Sequence, residues 1–386
     1  MKGNTEPPIA GYPLERVGHL FGGETDAGNG RDEVPRVRIR EAMPSHSTEL
    51  GPPDDRKFMT ASKPGPSSLA SHAAAPAVSF VIPLFNCLAL TRAGVASLQA
   101  TVPRGLTHEI ILVDDGSTDG TREWLATLGD PFRVMLNERN LGYAISNNRG
   151  IAAARGEFLV LLNNDLVLLP RWLEPMQQTA RSLGERAGLI GNIQMEAGSG
   201  QLDHAGIVIN RQGKPVHART LPRWFSRLLR PVRPVLAVTG ACLLIHRALW
   251  QQLGGFDEGY LNGGEDIDLC LRARAAGRVN AVALRSVVRH HVSASPGRKR
   301  RDEENSYRLA QRWRREFIAL ADDATRDWCR EYLAGILPEP QSTDYRLARH
   351  ALSHAAHLTA TPPPEAVASL EAALDREFDR WRSLLG

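Results

Sequence analysis

The sequence lacks the features that mark disulfide-bonded, secreted or membrane-spanning proteins. Its 386 residues include 4 cysteines, which are far apart and form no C-x-x-C pair, so neither a disulfide framework nor a zinc site is expected. No apolar run approaches the roughly 20 residues that a transmembrane helix needs. The first residues also lack the apolar core of a signal peptide. We therefore expect a soluble protein of the cytoplasm with reduced cysteines.

A strong charge of either sign is also lacking. The formal net charge is +4, and the arginines are scattered between acidic residues. The nearest candidate for a nucleic-acid surface is the basic, aromatic stretch from Arg219 to Arg233, which contains Trp224. Because prolines interrupt this stretch, we expect no nucleic-acid partner. We interpret the stretch as a contact surface for a second substrate or for the inner face of a membrane.

Composition divides the chain into three parts. Residues 1–76 are rich in Pro, Gly and Ser without an apolar period, which predicts a disordered leader. Residues 77–300 alternate strand-like and helix-like segments, which predicts an α/β domain with a mostly parallel sheet and a less regular subregion near residues 189–236. Residues 301–386 predict a helical extension. The predicted strands are Val78–Pro83, Glu109–Asp115, Phe132–Leu136 and Phe158–Leu162, and the predicted helices include Thr121–Leu128, Ala144–Ala154 and Glu365–Leu385.

Acidic residues follow two of these strands, and ligands of open α/β sheets bind at the carboxyl ends of strands. Asp114 and Asp115 precede Gly116, and this turn can either hold a base or ribose or simply cap the next helix. Asp165 comes shortly after the strand that ends at Leu162. One carboxylate together with diphosphate oxygens suits Mg²⁺ or Mn²⁺, although an Asn-Asp turn also explains this segment.

Two later segments also carry chemical groups. Glu265 and Asp266 open a helix after a glycine pair, where the helix dipole favours acids and where a carboxylate can also act as a general base. His290 begins a run that ends at Arg298 and offers imidazole, hydroxyl and guanidinium groups to a metal or a diphosphate. A lone histidine is more often structural, so a ligand role is the rarer alternative for His290.

The ordered set of segments resembles glycosyltransferase family 2, whose members have the GT-A fold. The resemblance covers roughly Val78 to Trp313, and the set as a whole is far more specific than any single motif. Besides the strand ending at Pro83, the matching segments are Val113 to Thr121, Asn140 to Tyr143, Asn148 to Gly150, Asn163 to Asp165, Thr239 to Cys242, Gly254 to Glu258, Gly264 to Arg272 and His290 to Arg298.

The resemblance implies a Rossmann-like, mostly parallel sheet flanked by helices. It also implies a metal-dependent, inverting transfer of a sugar from a nucleotide diphosphate to an acceptor hydroxyl in cell-surface glycan biosynthesis, as in bacterial rhamnosyltransferases. The implied cofactor is Mn²⁺ or Mg²⁺. The implied partners are a nucleotide-sugar donor and a glycan, a lipid-linked glycan or a protein as acceptor. The oligomeric state stays open.

The resemblance also assigns roles to individual residues. Asp266 is expected to be the catalytic base, with Glu265 beside it, and Asp165 and His290 are the expected metal ligands. Asn163 replaces the first acid of the family's Asp-X-Asp motif, which weakens the expected metal site. The expected nucleotide-sugar contacts are Pro83, Asp114, Asp115, Asn140, Gly142, Asn148, Asn164 and Arg298, and the expected acceptor contacts are Gly240 and Trp224.

Two alternatives share parts of this pattern. A dinucleotide-dependent oxidoreductase needs a G-x-G-x-x-G turn, but the first strand leads instead into Phe85-Asn86-Cys87. A non-catalytic module that binds nucleotide sugars or carbohydrates is the more serious alternative, because Asn163 weakens the metal motif. The paired acids Glu265 and Asp266 favour an enzyme, and a turnover assay discriminates between the two.

Overall fold

The computed structural model describes four stretches of the chain, residues 75–221, 229–291, 301–336 and 344–386. The predicted leader lies outside these stretches except for its last two residues, and so do Trp224 and Arg298. The boundary predicted at residue 300 falls beside the undescribed residues 292–300.

From β1 to β4 the described residues alternate strands and helices, as the sequence predicts. The strands are β1 Val78–Leu84, β2 His108–Asp114, β3 Phe132–Leu136, β4 Phe158–Leu162, β5 Leu166–Leu168, β6 Ala187–Glu196, β7 Leu202–His204, β8 Ile207–Ile209, β9 Pro215–His217, β10 Val232–Pro234, β11 Cys242–His246 and β12 Val279–His290. The helices are α1 Leu88–Thr101, α2 Thr121–Leu125, α3 Tyr143–Ala152, α4 Leu173–Leu183, α5 Arg247–Leu253, α6 Glu265–Ala275, α7 Asp302–Ala319, α8 Asp322–Ile336, α9 Tyr345–Ala355 and α10 Pro364–Leu385.

One large sheet organises the fold, with the strand order β10-β12-β6-β11-β4-β1-β2-β3. Strands β3, β2, β1 and β4 are parallel to one another, and β6 and β12 are parallel to each other. Strand β11 lies between β4 and β6 and is antiparallel to both, so β4 and β6 run in the same direction. The six strands β1, β2, β3, β4, β6 and β12 therefore all run in the same direction. The predicted mostly parallel sheet is therefore confirmed, with β11 inserted antiparallel in its middle and the short strands β5, β7 and β10 added antiparallel to β12 or β6.

Helices cover both faces of this sheet, which explains why its central strands are continuously apolar. Every residue of β1 is buried. On one face Phe80 packs in a cluster with Leu98 of α1 and Trp172. On the other face Val81 belongs to a cluster that reaches Trp381 of α10. The helical extension after residue 301 thus contributes side chains to the same core as the sheet.

The pairing of strands leaves an opening at the carboxyl edge of the sheet. Strand β1 pairs with β2 along its full length, but its pairing with β4 stops at Val81. The last residues of β1, including Pro83 and Leu84, therefore extend past β4 and line a cleft. Within the described stretches, no helix is long and apolar enough to cross a membrane.

Candidate active site

The cleft at this edge gathers most of the predicted site residues. The predicted residues that line it are Pro83, Asp115, Asn140, Asn164, Asp165, Gly240, Glu265 and Asp266. They come from the ends of β1, β2 and β4, from the loop between β3 and α3, from the turn before β11 and from the start of α6. The described side chains that line the cleft include four carboxylates and no Lys or Arg. A diphosphate would meet repulsion here unless a cation accompanied it.

Asp115 shapes the wall of the cleft nearest β2. Its Oδ1 atom accepts hydrogen bonds from the Leu141 N–H and the Asn137 side-chain amide, each at 2.8 Å. Its Oδ2 atom accepts one from the Gly142 N–H at 2.9 Å. The carboxylate therefore holds the loop that carries Asn140 to the cleft.

Asp114 lies behind this wall and does not line the cleft. Its side chain is fully buried and forms an ion pair with Arg122 at 2.7 Å. It also accepts weak hydrogen bonds from the main-chain N–H groups of Gly116 and Ser117, at 3.2 to 3.3 Å. These contacts stabilise the turn after β2, and the predicted contact of Asp114 with a nucleotide base stays a prediction.

Gly142 and Asn148 also support the site from outside its lining. Gly142 has a φ of 95°, which favours glycine, and a Cβ there would lie 2.8 Å from Leu261 Cδ1. The Asn148 side chain accepts a hydrogen bond from the Phe256 N–H and donates one to the Phe256 carbonyl, both at 3.0 Å. Asn148 thereby fixes the loop between α5 and α6.

Asp165 and His290 form the candidate metal site. The antiparallel pairing of β5 with β12 places them side by side, with His290 Nε2 3.2 Å from Asp165 Oδ1. Both residues are buried, and neither atom has a hydrogen-bond partner among the described residues. Two ligands of one divalent ion, each about 2.1 Å from it, are expected at this separation. The observed atoms therefore fit a cation.

A cation bound by Asp165 and His290 would need further ligands from other groups. Among the described residues, no three His, Cys, Asp or Glu side chains converge on one point. Asn163, which lines the cleft, has a buried Oδ1 atom that no described group contacts by a hydrogen bond, so a neutral oxygen is available. Asn164 is engaged elsewhere, since its side-chain amide donates to Thr91 Oγ1 at 2.9 Å. Water and diphosphate oxygens commonly complete sites with few protein ligands.

Asp266 also lines the cleft, in the first turn of α6. The Gly240 N–H donates a hydrogen bond to its Oδ2 atom at 2.7 Å, and the Ile267 N–H donates one to its Oδ1 atom at 2.8 Å. The neighbouring Glu265 is buried, and its Oε2 atom accepts a hydrogen bond from the Gly263 N–H at 2.7 Å. Asp266 is only partly buried, so its carboxylate can still accept a proton from a ligand in the cleft.

Sequence analysis gave no role to Tyr143 and Asn262, which line the cleft and are joined by a hydrogen bond. The Tyr143 hydroxyl donates to the Gly240 carbonyl at 2.8 Å, and the Tyr143 N–H donates to Asn262 Oδ1 at 3.0 Å. Asn262 has a φ of 57°, a left-handed conformation that asparagine tolerates better than most residues. Its position directly before the pair Gly263-Gly264 was the available signal for such a turn.

Comparison with known proteins shows what this chain is similar to. Residues 79–253 match the family model described as glycosyl transferase family 2. The uncharacterized protein y4gI of Sinorhizobium fredii is 36% identical over 253 residues, which cover 62% of this chain and 27% of that protein. An N-acetylglucosaminyl-diphospho-decaprenol L-rhamnosyltransferase of Mycobacterium tuberculosis is 29% identical over 254 residues, which cover 60% of this chain and 80% of that protein.

A third relative and one solved structure complete the comparison. The O-antigen biosynthesis protein RfbC of Myxococcus xanthus is 34% identical over 237 residues, which cover 57% of this chain and 18% of that protein. The match spans only about a quarter of y4gI and less than a fifth of RfbC. The crystal structure of GalNAc-T7 with UDP, GalNAc and Mn²⁺ aligns with a TM-score of 0.51 at 19% identity, covering 73% of this chain and 55% of that one. The protein has the GT-A fold.

Proposed function

We propose that the protein is an inverting, metal-dependent glycosyltransferase that moves a sugar from a nucleotide diphosphate to an acceptor hydroxyl. The observation that carries the proposal is one carboxylate-lined cleft that contains both Asp266 and Asp165. Asp165 in turn adjoins the imidazole of His290, which lies next to the cleft lining at 3.2 Å from Asp165 Oδ1. This arrangement supplies a proton acceptor for one substrate and a cation site for the phosphate of the other.

Asp266 performs the proton transfer in this proposal. Two main-chain N–H groups hold its carboxylate, which keeps the remaining lone pairs directed at the cleft. As the acceptor oxygen attacks the anomeric carbon, its proton passes to Asp266 and the bond from that carbon to the diphosphate oxygen breaks. A single displacement of this kind inverts the configuration at the anomeric carbon. Its transition state has oxocarbenium character, as in glycoside hydrolysis.

Asp165 and His290 would hold the divalent cation, with Asn163 contributing a neutral oxygen nearby. When bound, Mn²⁺ or Mg²⁺ supplies positive charge that stabilises the departing diphosphate. The carboxylates of the cleft have no Lys or Arg beside them in the described lining, so the donor phosphates need this compensation to enter. GalNAc-T7, which shares the fold, was crystallised with UDP and Mn²⁺.

The donor nucleotide is proposed to lie along Pro83, Asp115 and Asn140, with Gly240 on the acceptor side. The proposed contacts at Trp224 and Arg298 lie outside the described residues. The Mycobacterium tuberculosis relative is named for transfer to a diphospho-decaprenol glycan, and RfbC is named for O-antigen biosynthesis. These names support an acceptor from cell-surface glycan biosynthesis.

The test is release of nucleoside diphosphate from a panel of UDP-, GDP- and dTDP-sugars, with Mn²⁺, with Mg²⁺ and with EDTA. We expect release that requires metal and falls by about 10²- to 10⁴-fold in Asp266→Asn, the usual range for loss of a general base. Glu185→Gln is the control, because it neutralises an exposed acid that does not line the cleft. The stereochemistry of the product, determined by NMR, tests inversion.

Nucleotide binding without diphosphate release would contradict the proposal. If the protein binds a nucleotide but releases no diphosphate with any donor or acceptor, and Asp266→Asn binds as the wild type does, Asp266 is not a catalytic base. The chain would then be a non-catalytic module that binds nucleotide sugars.

A further inference from the structure

Helix α7 lies beyond the segment matched by the family model, yet it contacts the loop between α5 and α6, residues 254–264, which is called the catalytic loop below. Asn305 on this helix is buried, with 6% of its surface exposed. Its side-chain amide donates to the Leu261 carbonyl at 2.8 Å, and its Oδ1 atom accepts from the Leu261 N–H at 3.3 Å. One side chain therefore satisfies both main-chain groups of Leu261, as a neighbouring strand would.

Leu261 is followed at once by the residues that enter the cleft. The next residue, Asn262, has a φ of 57° and accepts a hydrogen bond from the Tyr143 N–H. The Gly263 N–H donates to Glu265 Oε2, which joins the loop to the first turn of α6. A displacement of Leu261 would therefore move Asn262 and the start of α6 together.

The same residues close a ring of hydrogen bonds around the mouth of the cleft. Asn262 bonds to the main chain of Tyr143, the Tyr143 hydroxyl bonds to the Gly240 carbonyl, and the Gly240 N–H bonds to Asp266. Asp266 returns to Asn262 through four peptide bonds of the chain. Asn305 binds the main chain of Leu261, the residue that directly precedes Asn262 in this ring.

The ion pair between Arg308 of α7 and Asp257 of the loop is a weaker constraint on the loop than the contact of Asn305. Arg308 pairs with Asp257 at 3.0 Å, but about half of the arginine side chain is exposed. Exposed ion pairs contribute little because water competes with them and the long side chains lose entropy. The buried, two-way contact of Asn305 is therefore the stronger constraint on the loop.

We propose that Asn305 is a positioning residue of the transferase: through the main chain of Leu261 it fixes the loop that delivers Asn262 and Asp266 to the cleft. The inference rests on the proposed function and deepens it. Among the described residues, the hydrogen bonds of the Asn305 side chain go to Leu261, which does not line the cleft, and Asn305 acts by holding the proton acceptor in line with the acceptor hydroxyl. An error of about 1 Å in such an alignment can lower a rate by about 10²-fold.

The experiment compares Asn305→Ala and Asn305→Asp with the wild type in the intact chain. Asn305→Asp keeps the side-chain volume but loses the donor to the Leu261 carbonyl. We expect both variants to lose kcat by on the order of 10²-fold, with unchanged affinity for nucleoside diphosphate and Mn²⁺. Hydrogen exchange, measured by mass spectrometry, should become faster in residues 257–264. Retained nucleotide affinity separates a positioning effect from loss of the fold.

Glu303→Gln is the matched control on the same helix. Glu303 accepts a hydrogen bond from Trp381 Nε1 at 2.6 Å and bonds to no residue of the catalytic loop, so its loss weakens only the contact between α7 and α10. The proposal is overturned if Glu303→Gln lowers kcat as much as Asn305→Ala does, if Asn305→Asp retains the wild-type rate, or if loop exchange is unchanged. If the wild type transfers no sugar, the proposed function fails, whereas the exchange measurement still decides whether Asn305 fixes the loop.

Discussion

Asp114 and Asp115, at the end of β2, make different contacts because successive side chains of a strand point to opposite sides. The Asp114 carboxylate forms an ion pair with Arg122, whereas the Asp115 carboxylate binds the loop that carries Asn140 to the cleft. The sequence marked both acids as ligands of a nucleotide, since a pair of aspartates contains no information about which one faces the cleft. Only the direction of each side chain shows that Asp115 lines the cleft and that Asp114 does not.

At the same turn, the structure predicts a specific effect of Gly116→Ala. Gly116 has a φ of 82°, and an added Cβ would lie 2.7 Å from main-chain atoms of Arg139 and Asn140. Gly105 has a φ of 80° but no atom within 4 Å of an added Cβ, so Gly105→Ala is the matched control. We expect the control to lose about 1–2 kcal/mol of unfolding free energy from left-handed strain alone.

Gly116→Ala should lose about 1–3 kcal/mol more than the control, because main chain must move to admit the methyl group. Since that movement displaces Asn140 at the cleft, nucleotide affinity should fall in Gly116→Ala and not in Gly105→Ala. Urea unfolding and nucleotide titration measure the two effects. Equal losses of stability in both variants would show that the close approach of the Arg139–Asn140 main chain has no energetic weight.

At the scale of the element, Glu109 joins strands that are distant in sequence. Its carboxylate accepts hydrogen bonds from Ser79 on β1, from Arg133 on β3 and from the main chain of Arg155. Burial alone would raise the pKa of Glu109, but the hydrogen bonds from Ser79 and Arg155 help to hold it below its ordinary value of 4.5. The buried charge is thus stabilised by three separate segments.

The pH dependence of stability should reveal this link. Because the folded pKa of Glu109 lies below the unfolded value, its contribution is present above pH 4.5 and is lost as the pH falls through the folded pKa. We expect Glu109→Gln to lose about 1.5–3 kcal/mol near neutral pH, the range for hydrogen bonds to a charged group. Urea unfolding should show the difference shrinking in acid. A difference that stays constant down to pH 3 would contradict the assignment.

The bounds of strands and helices were predictable from the sequence where burial imposes a regular pattern of apolar residues. Strands β1 and β4 are buried apolar runs, and their predicted bounds agree with the structure within one residue. The bounds predicted for β3 also agree, although no residue of β3 is buried. The helix predicted at Thr121–Leu128 ends at Leu125, because Thr127 and Leu128 bond three positions back, as in a tighter turn. The antiparallel direction of β11 was not predictable, since an apolar run has no direction and β11 is set by partners on both sides.

The site was predictable to the extent that its chemistry lies at strand ends and at one helix start. Asp115, Asp165 and Asp266 could be found this way, and all three line the cleft. Tyr143 and Asn262 could not, because their roles arise from a contact between residues 119 positions apart. A local pattern carries no information about such a contact.

At the scale of the whole molecule, the described C-terminal helices share a core with the sheet. Leu374 of α10 is fully buried in the same hydrophobic cluster as Val81 and Leu161. Lys214, which follows β8, pairs with Glu377 at 2.7 Å and also lies over the ring of Trp381. The helical extension therefore supports the strands next to the cleft.

We therefore expect residues 75–386 to unfold in one cooperative transition. Leu374→Ala removes a fully buried side chain and should lower the unfolding free energy by about 2–5 kcal/mol, with a lower Tm for that single transition. Leu384→Ala, on the same helix with 59% exposure, is the control and should change little. Differential scanning calorimetry distinguishes the alternatives. If Leu374→Ala splits the transition, or if a separate C-terminal transition already exists in the wild type, the shared hydrophobic cluster does not couple α10 to the sheet.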